Sequence, residues 1–356
     1  MPRTPLDAAP APAALPTDTR APGETPVPDR GLRSRGMRDL GPEAMRRFRA
    51  VERIFLETTA ARGYREIRTP TIEPLHLFTA SGTLSPQALD RVYSFLDWDG
   101  WSGERVVLRP DATVAAARWF VEEGGRSGPE RLCYVQPAYR FAPGDADREV
   151  WQCGVELFGL PAAEADAQLL ELARDLLRAF GVSAPTCDLA HAGLARAVFA
   201  AAGLSASAQL AAYDRMLDGD PALAEEVAAA SRDGTSALRL LAEVDGSSTG
   251  YVANLRAAIL PLAPAAARAL DELAAAAAAL DAAGVSYRVL PGTARNFEYY
   301  SGVTFRFRDG DAECITGGRY DGLTEQIGGD PAPGCGFAAD LLALAARAPI
   351  AGGDAR

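Results

Sequence analysis

The sequence predicts an α+β fold, a mixed but mostly antiparallel sheet with flanking helices, interrupted by a helical module. Three observations predict it. Segments of strand character recur between residues 64 and 157 and again from 286 to 307. Stretches of helical periodicity separate them. From about residue 190 to 284 the chain turns alanine- and leucine-rich, with helical spacing and few strand signals.

Residues 1–30 are rich in proline and alanine, with scarcely any large apolar side chain. They cannot bury enough surface to offset chain entropy and are expected to form a disordered tail. From Gly41 a helix is signalled by Pro42 in its first turn and by Met45, Phe48, Val51, Ile54 and Phe55 at helical spacing. Gly63 ends it, and residues 64–69 alternate as a strand that stops at Pro70.

Further strands are expected at 105–108, 132–136 and 150–157, with helices at 113–122 and 164–180 between them. The helical module closes at the Gly284 stop. Strands resume at 286–290 and 302–307, where Val303, Phe305 and Phe307 share one face while Thr304, Arg306 and Arg308 share the other. The expected organisation is a core of residues 31–189 and 285–347, a helical insertion at 190–284 and a flexible C-terminus at 348–356.

Composition excludes several kinds of chemistry. With 356 residues and 48% hydrophobic content, the chain can fold as one large domain or two modest ones without staples. Its five cysteines are odd in number and widely spaced, with no C-x-x-C pair and no signal peptide ahead of them. That pattern predicts a cytoplasmic protein whose cysteines are small core residues rather than metal ligands. The longest apolar stretch, residues 273–280, is too short to cross a membrane.

All 36 basic residues are arginine, so a Walker A lysine, a Schiff-base lysine and a pyridoxal phosphate anchor are excluded. His76 and His191, the only histidines, leave little for imidazole catalysis or zinc. No cofactor or metal is expected. A net charge of −11, with no long arginine cluster, argues against nucleic-acid binding.

The most informative segment is Trp151-Gln152-Cys153-Gly154-Val155-Glu156-Leu157. Strand alternation puts Gln152, Gly154 and Glu156 on one face, an amide and a carboxylate flanking a glycine with room for a small polar ligand. The same alternation also fits an exposed polar face. Nearby, Arg109-Pro110-Asp111-Ala112-Thr113 marks a strand-to-helix junction and Tyr139-Arg140-Phe141 a strand end. Asp111 can be an N-cap and Arg140 a surface charge. Equally, carboxylate and amide acceptors with a guanidinium would suit the two charged groups of an amino acid.

Two glycine-flanked tyrosine loops complete the set, Arg295-Asn296-Phe297-Glu298-Tyr299-Tyr300-Ser301-Gly302 and Gly317-Gly318-Arg319-Tyr320-Asp321-Gly322-Leu323. In this order the segments resemble the core of histidyl-tRNA synthetase, a class II aminoacyl-tRNA synthetase family whose antiparallel sheet carries three motifs. The resemblance covers roughly residues 34–345. Gly36-Met37-Arg38-Asp39-Leu40 and the elements up to Pro70 resemble the first, dimer-forming motif. Leu108 to Asp111, and Tyr139 through Glu156, resemble the second-motif region.

The resemblance implies a histidine site. Asp111 and Thr113 would take the ammonium, and Gln152, Arg140 and Arg295 the carboxylate side. Glu156, Tyr300 and Tyr320 would surround the imidazole, with Tyr299 beside them. Asp111 departs from the family's usual glutamate. The larger departures fall on the ATP side: Ala142 replaces the glutamate that reads adenine, and Val150 an aromatic that stacks on it. The third motif reads Gly336-Phe337-Ala338-Ala339-Asp340-Leu341-Leu342-Ala343, so alanine stands where an arginine clamps the phosphates.

No anticodon-binding domain is expected after that motif. This combination is similar to the regulatory subunits of ATP phosphoribosyltransferase. That likeness implies a non-catalytic protein of histidine biosynthesis that homodimerises through the first-motif region and joins a short-form catalytic subunit in a hetero-octamer. It also implies L-histidine as inhibiting effector and no tRNA. The retained Arg295 and Glu298-Tyr299-Tyr300 also fit an amino-acid-activating enzyme of the same family.

Overall fold

In the computed structural model, residues 32–82, 92–98, 100, 103–124, 128–144, 146–217, 241, 245–292 and 299–347 are described. The expectations for residues 1–30 and 348–356 lie outside them. Helix α1, Pro42–Ala61, starts where Pro42 fixes the first turn, and it buries Phe48, Val51 and Phe55 along one stripe. Gly63, with a φ of 80°, takes the left-handed conformation that stops it.

The strand expected at 64–69 is shorter. Only β1, Arg65–Glu66, forms a ladder, parallel to β5, Glu130–Tyr139. The Ile67 N–H still donates to the Cys133 carbonyl at 2.9 Å, but that of Thr69 is taken by the Gln136 side chain at 3.2 Å. A side-chain acceptor therefore replaces the backbone partner before Pro70 ends the segment.

A small antiparallel sheet follows, formed by β2 (Ile72–Pro74), β3 (Ser94–Trp98) and β4 (Gly103–Leu108) in the order β2-β4-β3. Helix α2, Leu75–Ala80, leads out of β2. Helix α3, Ala112–Trp119, begins at Asp111 and runs into one π turn, Phe120–Gly124, covering the helix expected at 113–122. Strand β6, Glu149–Phe158, pairs with β5 over ten residues, and α4, Ala162–Ala179, returns over the sheet.

Strand β7, Thr186–His191, is followed among the described residues of the alanine-rich region by helices α5 (Ala192–Ala201), α6 (Ala206–Leu217), α7 (Thr249–Ile259) and α8 (Ala267–Ala282). Strands β8 (Ser286–Val289), β9 (Val303–Asp309), β10 (Ala312–Arg319) and β11 (Gly334–Asp340) complete the main sheet. The short helices α9 (Leu323–Gln326) and α10 (Leu341–Arg347) flank β11.

The main sheet has eight strands in the order β1-β5-β6-β11-β10-β9-β7-β8. Pairs β1·β5 and β7·β8 are parallel and the rest antiparallel, as the predicted fold class requires. One face is apolar: Cys153, Val155, Phe337, Phe305, Phe307 and Leu189 lie in one core with Leu169 and Leu176 of α4 and Leu273 and Leu280 of α8. All five cysteines are buried free thiols, in keeping with small core residues.

Strands β2, β3, β7, β10 and β11 lie outside the segments expected from sequence. In β10 and β11 the reason is glycine, which lowers strand propensity at Gly317, Gly318, Gly334 and Gly336. A Cβ at Gly318 would lie 2.8 Å from the ring of Tyr300, so close approach outweighs propensity there.

Candidate functional site

The second face of the sheet is polar, and strand register assembles it. Cross-strand partners share a face. Gln136, Gln152 and Asp340 form one row, Tyr134, Gly154 and Ala338 the next, and Leu132, Glu156, Gly336 and Gly318 a third. The chain thus places Gln152 and Glu156 inward beneath α3, not on an exposed surface; they are 6% and 0% exposed.

Glu156 lies at the centre. Its Oε1 accepts a hydrogen bond from the Tyr134 hydroxyl at 2.9 Å, and its Oε2 accepts one from the Tyr320 hydroxyl. Burial pushes its carboxyl up to about 8, against an ordinary 4.5, while the hydroxyls of Tyr320 and Tyr134 pull the other way. Burial likewise raises Tyr134 and Tyr320, and the nearby carboxylate adds to it. Glycine makes the packing possible. A Cβ at Gly336 would collide with Glu156 Oε2 and the Tyr320 hydroxyl, and one at Gly154 would collide with the Tyr134 ring.

Asp111 and Thr113 sit at the mouth on α3. Asp111 is an N-cap, its Oδ1 accepting from the Thr113 N–H at 2.8 Å. Its Oδ2 accepts from the Gln152 amide at 3.3 Å and from Arg140 at 3.4 Å, so capping and site geometry are one arrangement. Gln152 Oε1 in turn accepts from the Ala112 N–H at 3.1 Å. Arg140, at the exposed rim, also donates to the Pro110 carbonyl at 2.8 Å. The Thr113 hydroxyl lies 3.4 Å from that of Tyr134 and so joins the chain leading to Glu156.

The tyrosine loops close the opposite side. The ring of Tyr299 lies 5.1 Å from Tyr320 and 5.0 Å from Tyr300. The Tyr299 hydroxyl is buried with no hydrogen-bond partner among the described residues. Arg319 anchors this side: it is 1% exposed, donates to Asp166 and Asp321, and its carbonyl accepts from the Ser301 N–H at 2.7 Å.

Of the predicted site residues, Asp111, Thr113, Gln152, Glu156, Tyr299, Tyr300 and Tyr320 converge and Arg140 stands at the edge. Arg295, with Asn296, Phe297 and Glu298, lies outside the described residues. Tyr134 was missed; the available signal was its place on the strand facing Gly154, which only register reveals. Arg109 is a clamp rather than a ligand group. It is buried, donating to the carbonyls of Pro70, Thr69 and Pro137 at 2.6, 2.9 and 2.9 Å.

Ala142, Val150 and Ala343 present no polar side chain. The Ala142 carbonyl accepts from Arg148 at 2.9 Å, and the Ala343 N–H is capped by Asp340 at 3.2 Å. Among the described residues, no group of three or more histidine, cysteine, aspartate or glutamate side chains could hold a metal, and no helix is long and apolar enough to cross a membrane.

A largely antiparallel sheet with one apolar and one polar face, flanked by helices, defines a class II aminoacyl-tRNA synthetase-like domain. Residues 36–344 match the family model described as histidyl-tRNA synthetase. A protein of Dehalococcoides mccartyi named ATP phosphoribosyltransferase regulatory subunit is 42% identical over 313 residues, 88% of this chain and 76% of its own length. A histidine–tRNA ligase of Alkalilimnicola ehrlichii is 32% identical over 88% of this chain and 72% of its own. The solved structure of an ATP phosphoribosyltransferase regulatory subunit/histidyl-tRNA synthetase from Bacillus halodurans superposes with a TM-score of 0.79 at 25% identity, covering 90% of this chain and 84% of that one. The chain belongs to the histidyl-tRNA synthetase-like family, in its branch of ATP phosphoribosyltransferase regulatory subunits.

Proposed function

We propose that this protein is a non-catalytic regulatory subunit that binds L-histidine around Glu156, activates a short-form ATP phosphoribosyltransferase catalytic subunit and conveys feedback inhibition by histidine. The observation that carries the reading is the contrast within one face. Polar groups surround Glu156, while Ala142, Val150 and Ala343 occupy the positions that, by the family resemblance, would face ATP. An imidazole N–H suits the Glu156 carboxylate, and Gln152, Asp111 and Arg140 suit the two charged ends of an amino acid. Arg295 belongs to the proposed set by its motif.

Histidine would act by binding two arrangements of the complex with different affinity, since a ligand shifts an equilibrium only by that difference. The partner supplies the chemistry, in a hetero-octamer containing homodimers of this chain, in the cytoplasm and without tRNA. The test mixes the protein with the catalytic subunit and follows phosphoribosyl-ATP formation. Activity that requires the mixture and falls with histidine supports the reading; a mixture no better than the catalytic subunit alone refutes it.

A second reading, an amino-acid-activating enzyme, draws on the similarity to a histidine–tRNA ligase. It requires histidine-dependent exchange of pyrophosphate into ATP. Absence of exchange removes it.

A further inference from the structure

A second charged constellation lies on the same face, across the sheet. Tyr134, Gly154, Ala338, Thr316, Arg306, Asp188 and Arg288 continue one cross-strand row from β5 to β8. From Gly154 to Arg306 is three strand spacings, roughly 14 Å. Asp188 is 5% exposed and is surrounded by arginines from two strands. Arg288 directs Nε and Nη2 at its Oδ1, at 3.1 and 2.8 Å. Arg306 and Arg308 approach its Oδ2 only to 3.9 and 3.6 Å, beyond hydrogen-bond distance.

The charges do not balance. Three guanidiniums share one carboxylate. Glu313, beside Arg308 in the register, is turned to the Thr316 hydroxyl at 2.6 Å and pairs with none of the three. Arg308 spends one donor on the Asp311 carbonyl at 2.7 Å. The Arg306 side chain is only 15% exposed, and among the described residues no acceptor lies within hydrogen-bond distance of its guanidinium. Like charges this close repel, and a largely covered guanidinium short of acceptors is costly.

We infer that Arg288, Arg306 and Arg308, gathered around Asp188, form a binding site for a phosphate-bearing small molecule, separate from the Glu156 pocket. Asp188 spaces the guanidiniums and orients Arg288. A phosphoryl dianion would supply the missing acceptors and offset the local excess of positive charge, in the forked geometry that arginine offers to phosphate. A carboxylate brings one charge and a planar pair of oxygens, which serves three donors less well. The site does not depend on the histidine reading.

The full-length protein is titrated calorimetrically with inorganic pyrophosphate and with phosphate, at constant ionic strength set by chloride. Binding is expected, and Arg306→Gln/Arg308→Gln should weaken it roughly tenfold or more, as loss of two charge-assisted contacts implies. Asp188→Asn should tighten it, a direction that mere structural damage would not produce. Circular dichroism confirms that each variant is folded, and Arg288→Gln, at the exposed rim, is a milder third variant expected to weaken binding.

Histidine titrations separate this inference from the proposed function: the arginine variants should bind histidine as the parent does, and Glu156→Gln should keep pyrophosphate binding. The inference is overturned by absence of pyrophosphate binding at millimolar concentration, by equal binding in the double variant, or by preference for an acidic peptide over pyrophosphate.

Discussion

Tyr134 donates its hydroxyl hydrogen to Glu156 Oε1 at 2.9 Å from the neighbouring strand β5, in the space left by the missing side chain of Gly154. A buried carboxyl thus gains a partner that neither residue's local sequence announces. The bond fixes the Glu156 carboxyl between two tyrosine hydroxyls.

Removing the carboxylate should cost histidine affinity. Measured above pH 8, where the parent carboxyl is ionised, Glu156→Gln keeps the shape but loses a charge-assisted contact, worth about 1.5–3 kcal/mol, or roughly ten- to 150-fold in dissociation constant. Calorimetric titration of histidine checks it; unchanged affinity would place the ligand elsewhere.

Stability should fall as pH rises. Glu156 titrates near 8 when folded against an ordinary 4.5, because burial disfavours its charged form. The folded state therefore binds the extra proton between those values. This contribution is fully present below 4.5 and is lost as pH climbs through 8. Glu272 behaves oppositely: the hydrogen bond with His191 holds it at about 2, so its contribution is lost as pH drops towards that value. Thermal melts from pH 5 to 9 should decline for the parent and flatten in Glu156→Gln.

Gly336→Ala should damage the pocket without unfolding the chain. The new methyl must displace Glu156 Oε2, the Tyr320 hydroxyl and the Val155 carbonyl, so the pocket side chains and the local β6·β11 pairing both shift, an overpacking cost of about 1–3 kcal/mol. Histidine binding should be lost while the circular dichroism spectrum stays that of the parent; binding equal to the parent's would show that the side chains yield freely.

Asp166→Ala should destabilise strongly. It strands the Arg319 guanidinium, 1% exposed, with Asp321 and the Ala162 carbonyl as remaining partners, and breaking such a buried pair costs about 3–5 kcal/mol. Urea unfolding measures it. A loss below about 1 kcal/mol would mean that Asp321 and water suffice.

Much of the site was legible because its chemistry sits in short motifs. Asp111, Thr113, Gln152, Glu156, Tyr299, Tyr300 and Tyr320 could be selected through motifs that resemble a known family, and they converge. Tyr134 could not, because a tyrosine in an apolar strand reads as core. Arg109, two residues before Asp111, is a clamp, and only its carbonyl partners reveal that role. Strands β10 and β11 escaped notice since glycines weaken strand propensity, although close packing against Tyr300, Tyr320 and Glu156 requires them.

The sequence by itself determined the α+β class and the period-two alternation that aims Gln152 and Glu156 to one side. These are local properties, set by side-chain type and by spacing along a strand or helix. Tertiary structure alone decided which groups meet. Glu156 and Tyr320 stand 164 residues apart in the chain and join only because β6 and β11 pair in one register, with Tyr320 following β10. It also decided the raised pKa of Glu156, since removal from water belongs to the packed whole and no residue's neighbours in sequence specify it.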